Sequence, residues 1–196
     1  MTRELLYQLK FLSEADKLKT IYRQTLIVDE SREETAAEHS WHFALMAMTL
    51  FEHCALPGVN LDRVIKMALV HDLVELYAGD TPAYGDTTDE DKATREQEAA
   101  DRLFSLLTQS QADEYRALWE EFEEMTTPDA MYAAAIDRFQ PHFNNYLTNG
   151  HAWVKFNVTA DKVYQRMAPI KTAMPALWEF VEHIIKDSRE KGYIQP

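Results

Sequence analysis

Apolar residues recur at helical spacing along most of the chain, and this pattern predicts a helical protein. The first predicted helix spans residues 3–18, and a polar, acidic connection follows over residues 24–34. Thr35 and Glu38 then have the spacing of a capping box, which predicts a helix from there to about Cys54. The apolar side of the first helix carries four leucines: Leu5, Leu6, Leu9 and Leu12.

The segment HDLVELYAGDTP, residues 71–82, is the one around which the chain is organised. It closes a predicted helix over residues 61–77, which Asn60 can cap and Gly79 can end. One stripe of this helix, which should face the core, mixes apolar residues with ionisable ones. Its members are Leu61, Val64, Ile65, Ala68, Leu69, His71, Asp72, Glu75 and Leu76. Burial of an unpaired carboxylate costs several kcal/mol or more, so we expect a cation there.

The rest of the chain predicts further helices and a polar loop over residues 84–91. Thr127-Pro128 is a typical helix start, and Pro141 is expected to kink or end that helix. Together these elements predict an all-α fold, a single-domain multi-helix bundle over residues 1–196. The remaining predicted helices span 89–108, 110–125 (with Ser110 as cap), 160–168 and 175–190.

Composition and charge argue against several classes of function. The chain has 196 residues and a formal net charge of −13, which argues against a surface for nucleic-acid polymers. No apolar run approaches the roughly 20 residues of a membrane span, and the charged N-terminus is no signal peptide. The one cysteine, Cys54, fits a reducing compartment, so we expect a cytoplasmic protein.

Four potential metal ligands lie on three predicted helices: His39, His71, Asp72 and Asp137. Two imidazoles and two carboxylates suit one divalent transition ion, and manganese, cobalt, iron, nickel and zinc all remain candidates. A single histidine on an inner helical face is more often a hydrogen-bonded core residue. His42 is therefore interpreted as a core or supporting histidine, and Glu38 as a helix cap.

The ordered set of a histidine, an adjacent His-Asp pair and a distant aspartate resembles the HD-domain phosphohydrolase superfamily. Here the three parts are Glu38-His39-Ser40, His71-Asp72 and Ile136-Asp137-Arg138. The longer string HDLVELYAGDTP is similar to the 5′-deoxynucleotidase branch of that superfamily. The resemblance covers roughly residues 10–145, and we interpret residues 150–192 as packing helices.

The resemblance implies a metal-dependent phosphomonoesterase that acts on nucleoside or deoxynucleoside 5′-monophosphates, and a homodimer. It implies His39, His71, Asp72 and Asp137 as metal ligands, and Glu75 as the residue that orients or deprotonates the attacking water. Arg23 would bind the phosphate, and Asp80 and Thr81 the sugar. Gln24 stands where that branch commonly has a tryptophan.

Two other functions remain open from the sequence. An HD-type hydrolase could act on a different phosphorylated or signalling nucleotide. Alternatively, the metal could hold together a helical domain that binds a nucleotide without turning it over. A panel of phosphorylated substrates distinguishes these hypotheses.

Overall fold

The computed structural model describes residues 2–81, 83–84 and 89–196, so Pro82 and residues 85–88 of the predicted polar loop lie outside the described residues. Helices dominate, as the sequence predicts. The α-helices are α1 (Arg3–Ala15), α2 (Ala36–Thr49), α3 (Leu61–Val70), α4 (Glu75–Ala78), α5 (Asp89–Phe104), α6 (Gln109–Glu124), α7 (Pro128–Leu147), α8 (His151–Lys155), α9 (Ala160–Ala173) and α10 (Pro175–Glu190). Short 3₁₀ helices span Asp16–Thr20, Phe51–His53 and His71–Val74.

The helix starts follow the predicted caps in most cases. Thr35 and Glu38 form the reciprocal capping box at the start of α2. Asn60 accepts a hydrogen bond from the Arg63 amide at the start of α3, and Thr127 caps α7. The cap predicted at Ser110 is wrong, because α6 begins after Thr108.

The connection predicted over residues 24–34 is instead part of a small antiparallel sheet. Strand β1 (Tyr22–Leu26) pairs with β2 (Glu33–Thr35), with an irregular register between Tyr22↔Thr35 and Leu26↔Glu33. Polar residues dominate both strands, so the alternation that marks a half-buried strand is weak. The hairpin packs β1 against α7 and α8, and it thereby brings Arg23 beside the central segment.

Two prolines lie inside helices without ending them. Pro141 was expected to kink or end α7, yet α7 continues to Leu147, and α9 likewise continues past Pro169 to Ala173. A proline removes one backbone hydrogen bond from the helix interior. Both helices are buried against several neighbours, and this packing outweighs the lost hydrogen bond.

The predicted helix over residues 61–77 is not continuous. α3 ends at Val70, the 3₁₀ turn His71–Val74 follows, and α4 begins at Glu75. The ring Nδ1 of His71 lies 2.9 Å from the Ala68 carbonyl oxygen. The imidazole therefore competes for a carbonyl that the Asp72 amide would use in a continuous α-helix. This tighter turn changes which side chains face inward.

The predicted inner stripe of the central helix is therefore partly wrong. Leu69, which the prediction placed on the inner stripe, is 52% exposed, whereas Val64 and Ala68 of the same stripe are buried. His71, Asp72, Leu73 and Val74 are all buried in succession. In a regular helix of 3.6 residues per turn, four consecutive residues cannot share one face. These four side chains therefore point in different directions, and all are buried because α2, α3, α5 and α6 enclose the turn on several sides.

The core consists of two apolar clusters, and the central segment lies where they meet. Ala68 belongs to the first cluster, which α2, α3, α7, α9 and α10 dominate. Val70, Leu73 and Val74 belong to the second, which includes residues of α1, α5 and α6. His71 and Asp72 are thus inserted between two packed units. In the described part of the chain, no helix is long and apolar enough to cross a bilayer.

Candidate metal centre and substrate cleft

His39, His71 and Asp72 converge on one point in the interior. Each offers a ligand atom, and these atoms all lie within 4.8 Å of one another. Asp137 of α7 joins the two histidines, because its Oδ1 is 3.0 Å from His39 Nε2 and 3.6 Å from His71 Nε2. The capped start of α2 carries His39, and the 3₁₀ turn carries the other pair. The four residues predicted as ligands therefore lie together.

Hydrogen bonds determine which nitrogen of His39 faces the cluster. Gln140 Nε2 donates to Glu34 Oε1 over 2.7 Å, so the amide oxygen of Gln140 must point the other way. That oxygen lies 2.8 Å from His39 Nδ1, which consequently donates to it. The lone pair of Nε2 is then directed at the cluster, where it can bind a cation. His42 Nδ1 also lies 3.1 Å from Gln140 Nε2, in the supporting position predicted for it.

The other histidine is oriented by the backbone. His71 Nδ1–H donates to the Ala68 carbonyl, and this leaves Nε2 as the inward-facing nitrogen. His71 is 4% exposed, and its Nε2 has no hydrogen-bond partner among the described residues. A buried polar atom without a partner costs about 1–3 kcal/mol. A cation among His39, His71, Asp72 and Asp137 would satisfy this atom, so the residues present fit a metal ion.

The carboxyl and imidazole groups of the cluster shift one another's pKa values. Burial lowers the pKa of His71, but the charges of Asp72 and Asp137 outweigh burial, so its pKa is raised. Burial opposes ionisation of Asp137, yet the positive charge that the neighbouring imidazoles of His39 and His71 carry when protonated holds its pKa well below the usual range. The cluster thus favours an ionised aspartate facing two imidazoles, a donor set that suits divalent transition ions.

Arg23 lies beside this cluster. Its Nη1 is 2.6 Å from Asp72 Oδ2, while Asp72 Oδ1 is 3.1 Å from His71 Nε2. Burial lowers the pKa of Arg23, but Asp72, Glu75 and Asp137 raise it more, so the guanidinium stays charged. One oxygen of Asp72 therefore contacts the arginine and the other faces the histidines. The β1–β2 hairpin holds the arginine in this position.

Glu75 and Asp80 form a second acidic pair in the same cleft. Burial, and then the charge of Asp72, raise the pKa of Glu75 well above its ordinary value. Burial also raises the pKa of Asp80, although a hydrogen bond from the Glu75 carboxyl and the charge of Arg23 oppose the rise. Glu75 Oε2 has no partner among the described residues. The carboxyl of Glu75 is therefore held protonated, with one oxygen available to a ligand.

The cleft around these groups encloses about 1040 Å³ of empty space, open solvent at its mouth included. Arg23, Glu75, Asp80 and Thr81 line it, so the structure brings every sequence-predicted substrate contact into one chamber. Thr81 Oγ1 lies 3.4 Å from Arg95 Nη2. Gln24 also lines the cleft and accepts a hydrogen bond from Lys155 Nζ over 2.7 Å.

Sequence reasoning missed two supporting residues. Gln140 is fully buried and Glu34 is 3% exposed. Gln140 lies three residues after Asp137 on α7, a spacing that places both on one helical face, and this was the available signal. Glu34 lay in the segment interpreted as a polar connection, so only the tertiary structure reveals it.

Comparison with known proteins agrees with this geometry. A family model described as HD domain matches residues 15–178. A crystal structure described as a predicted metal-dependent phosphohydrolase from Magnetospirillum magnetotacticum is 44% identical; it covers 98% of this chain and 96% of that chain, with a TM-score of 0.93. The predicted resemblance and the all-α HD-type fold are therefore confirmed.

Two similar proteins with curated names are 5′-deoxynucleotidases. A 5′-deoxynucleotidase from Homo sapiens is 30% identical over 131 residues, which is 66% of this chain and 62% of that protein. A 5′-deoxynucleotidase from Dictyostelium discoideum is 33% identical over 138 residues, 67% of this chain and 72% of that protein. The chain thus matches less than two thirds of the human relative's length.

The orientation of His39 can be tested through Gln140. We expect Gln140→Leu to weaken Mn²⁺ binding about tenfold to hundredfold, because the hydrogen bond that orients the imidazole is lost. Isothermal titration calorimetry measures the affinity, and ¹⁵N NMR of the His39 ring reports its tautomer. Gln109→Leu, on the exposed start of α6, is the control. Unchanged affinity and tautomer in Gln140→Leu would contradict this role.

The protonated state of Glu75 predicts a pH-dependent stability in protein stripped of metal. The pKa of Glu75 is raised by folding, so the stabilisation it provides is complete below the unfolded pKa and declines as pH rises above roughly 4.3. We therefore expect Glu75→Gln to be more stable than the parent at neutral pH, by an amount that grows towards pH 9. Urea unfolding at several pH values measures this, with Glu98→Gln on α5 as the control. A stability difference that shrinks with rising pH would contradict it.

Proposed function

The chain belongs to the HD-domain family, and on that premise we propose that it is a metal-dependent phosphohydrolase that releases phosphate from nucleoside or deoxynucleoside 5′-monophosphates. The observation that carries the proposal is the convergence of two oriented imidazoles and two carboxylates beside a partly buried arginine. The names of the human and Dictyostelium relatives support the substrate class.

In this proposal His39, His71, Asp72 and Asp137 hold one divalent ion, which is manganese, cobalt, iron, nickel or zinc. The unpartnered Nε2 of His71 and the hydrogen-bonded orientation of both rings support this ligand set. Such an ion supplies polarisation of a phosphate oxygen and a lowered pKa for water. The side chains around it bind the phosphate, accept the proton of the attacking water and contact the sugar.

Arg23 binds the phosphate in this mechanism. A guanidinium matches two phosphate oxygens at once, and the partly buried position of Arg23 reduces competition from water. Because Arg23 contacts Asp72 in the ligand-free protein, substrate phosphate has to share or replace that contact. The arginine then stabilises the negative charge that develops as water attacks phosphorus and the bond to the 5′ oxygen breaks.

Glu75 accepts the proton of the attacking water in this mechanism. Its free Oε2 and its position one turn after the His-Asp pair support this role. The high pKa of Glu75 arises from burial and from Asp72, and added positive charge at the cluster would lower it towards the working range. Asp80 and Thr81, further along the cleft, hydrogen-bond the sugar.

The proposed activity is tested by phosphate release from a panel of nucleoside and deoxynucleoside 5′-monophosphates with Mn²⁺ or Co²⁺. We expect chelation to abolish release and Asp72→Ala to abolish it as well, because the ligand set is broken. Glu75→Gln should lower kcat about a hundredfold or more, since the proton acceptor is lost.

Asp62→Ala, an exposed aspartate near the start of α3, is the matched control and should behave as the parent. Phosphate release by Asp72→Ala at the parent rate would refute the mechanism. Pyrophosphates and signalling nucleotides in the same panel separate this substrate class from the other HD-type hydrolases. Metal and nucleotide binding without turnover of any compound would favour the non-catalytic alternative.

We propose further that the chain forms a homodimer through exposed apolar surface. Apolar residues of α10 are candidates for this surface, but Val181, Ile184 and Ile185 belong to the core, and of these candidates Phe180 is exposed, at 38%. Two other stripes are exposed: Leu5, Leu9 and Leu12 on α1, and Trp41, Leu45 and Met48 on α2. Contiguous exposed apolar surface commonly marks association sites.

We also propose a cytoplasmic location, which the single cysteine, Cys54, supports.

Sedimentation equilibrium tests the dimer at micromolar concentration. We expect the parent to sediment with twice the chain mass, and Leu9→Glu or Leu45→Glu to shift it towards the monomer because a charge enters the interface. Val154→Glu, at an exposed apolar residue outside both stripes, is the control. A monomeric parent would refute the proposal.

A further inference from the structure

Three basic side chains gather at the outer part of the cleft: Arg138 of α7, and Lys162 and Arg166 of α9. Together with Ala83, Tyr84 and Gln165 they line an outer chamber. Arg138, Arg166, Ala83 and Tyr84 also line the main cleft that contains His71 and Asp137. The two spaces thus share a wall and meet at the arginines. Arg23 lines only the inner one.

Among the side chains that the structure describes, which leave out residues 85–91, no carboxylate forms a hydrogen bond or ion pair with any of these three cations, and Asp137 and Glu123 act on Arg138 only through their charge. Arg138 instead donates to the Arg166 carbonyl oxygen over 3.4 Å, and its Nη2 lies 3.2 Å from Met125 Sδ. Elsewhere basic residues pair with acids, as in Arg32–Glu38 and Lys191–Asp187. The chain has 33 acidic and 20 basic residues, so a group of three neighbouring cations stands out against a surface that is acidic overall.

The two arginines also lie near each other, and burial, followed by the charge of Arg166, lowers the pKa of Arg138. Arg138 and Arg166 are both partly buried, and the hydrogen bond between their residues joins α7 to α9. Like charges held together in a partly desolvated place are unfavourable unless an anion lies between them. Planar guanidinium groups bind phosphate oxygens two at a time. The arrangement therefore suits a phosphate group.

Charges along the cleft decide where such a phosphate could lie. The inner part contains the carboxylates of Asp72 and Asp137, which contact Arg23 and His39 respectively. Near these acids, Arg23 already serves the phosphate that is cleaved. A further phosphate would be repelled there and attracted to the arginines at the mouth.

We propose that Arg138, Arg166 and Lys162 form a second anion subsite, which binds a phosphate of the substrate other than the one that is cleaved. The inference rests on the proposed phosphohydrolase function and extends it. It predicts a preference for nucleotides that carry phosphates at two ends, such as a deoxynucleoside 3′,5′-bisphosphate, over the corresponding 5′-monophosphate. One phosphate would occupy the inner site and the other the mouth.

The first experiment measures binding without turnover. Inorganic phosphate is titrated by calorimetry into chelator-treated protein at low ionic strength. We expect Arg138→Gln and Arg166→Gln each to weaken binding about tenfold, through loss of charge-assisted hydrogen bonds. Arg189→Gln removes an exposed arginine of α10, outside the cleft, and should bind as the parent. Thermal melts test whether each variant is folded. If Arg138→Gln does not fold, the phosphate affinity of Arg166→Gln alone decides the outcome.

Equal phosphate affinity in Arg166→Gln and the parent would overturn the subsite, and so would failure of the parent to bind phosphate. This experiment does not depend on catalysis. If no compound in the nucleotide panel is hydrolysed while phosphate binding still depends on Arg166, the proposed function fails and the subsite stands.

The second experiment uses metal-loaded protein and compares deoxyadenosine 3′,5′-bisphosphate with deoxyadenosine 5′-monophosphate. We expect the parent to have the higher kcat/KM for the bisphosphate. The ratio of the two values should fall about tenfold in Arg166→Gln and stay at the parent ratio in Arg189→Gln. A proportional loss for both substrates would overturn the assignment, because the arginine would then bind the phosphate that is cleaved.

Discussion

The structure depends on ionisable groups that are buried at the meeting point of two apolar clusters. His71 and Asp72 lie between residues that belong to different clusters, and His39 and Asp137 approach them from other helices. Removing such groups from water is unfavourable unless their charges and hydrogen bonds are compensated. Arg23, Gln140 and the Ala68 carbonyl provide part of this compensation. His71 Nε2 has no hydrogen-bond partner in the part of the chain that the structure describes, and a metal would compensate for this.

Hydrogen bonds from neighbouring groups orient the two imidazole rings of the site. Glu34 orients Gln140, Gln140 orients His39, and a backbone carbonyl orients His71. Each of these bonds turns one imidazole nitrogen towards the cluster before any ligand is present. A preorganised donor set loses less conformational freedom when it binds an ion. The same logic applies to the β1–β2 hairpin, whose packing on α7 and α8 fixes the position of Arg23.

Local rules predicted the beginnings of elements better than their ends. Thr35, Asn60 and Thr127 cap helices because a side-chain oxygen can accept a hydrogen bond from an amide only a few residues away. Of the two outcomes expected at Pro141, a kink or a helix end, the helix end does not occur, because the interactions that carry α7 past this proline come from residues far away in the sequence. The sheet was missed for a related reason. A short polar hairpin has little periodicity, and its stability comes from what it packs against.

The sequence by itself determined the helical class and the identity of the four clustered side chains, because helical periodicity and residue chemistry are local properties. The resemblance of the sequence to the HD-domain superfamily also indicated Arg23, Glu75 and Asp80 as residues of the site. The tertiary structure alone decided that residues 71–74 form a 3₁₀ turn, that Glu34 and Gln140 support His39, and that Arg138 and Arg166 meet at the cleft mouth. These features depend on distances between helices remote in sequence, and no pattern within a single helix encodes them.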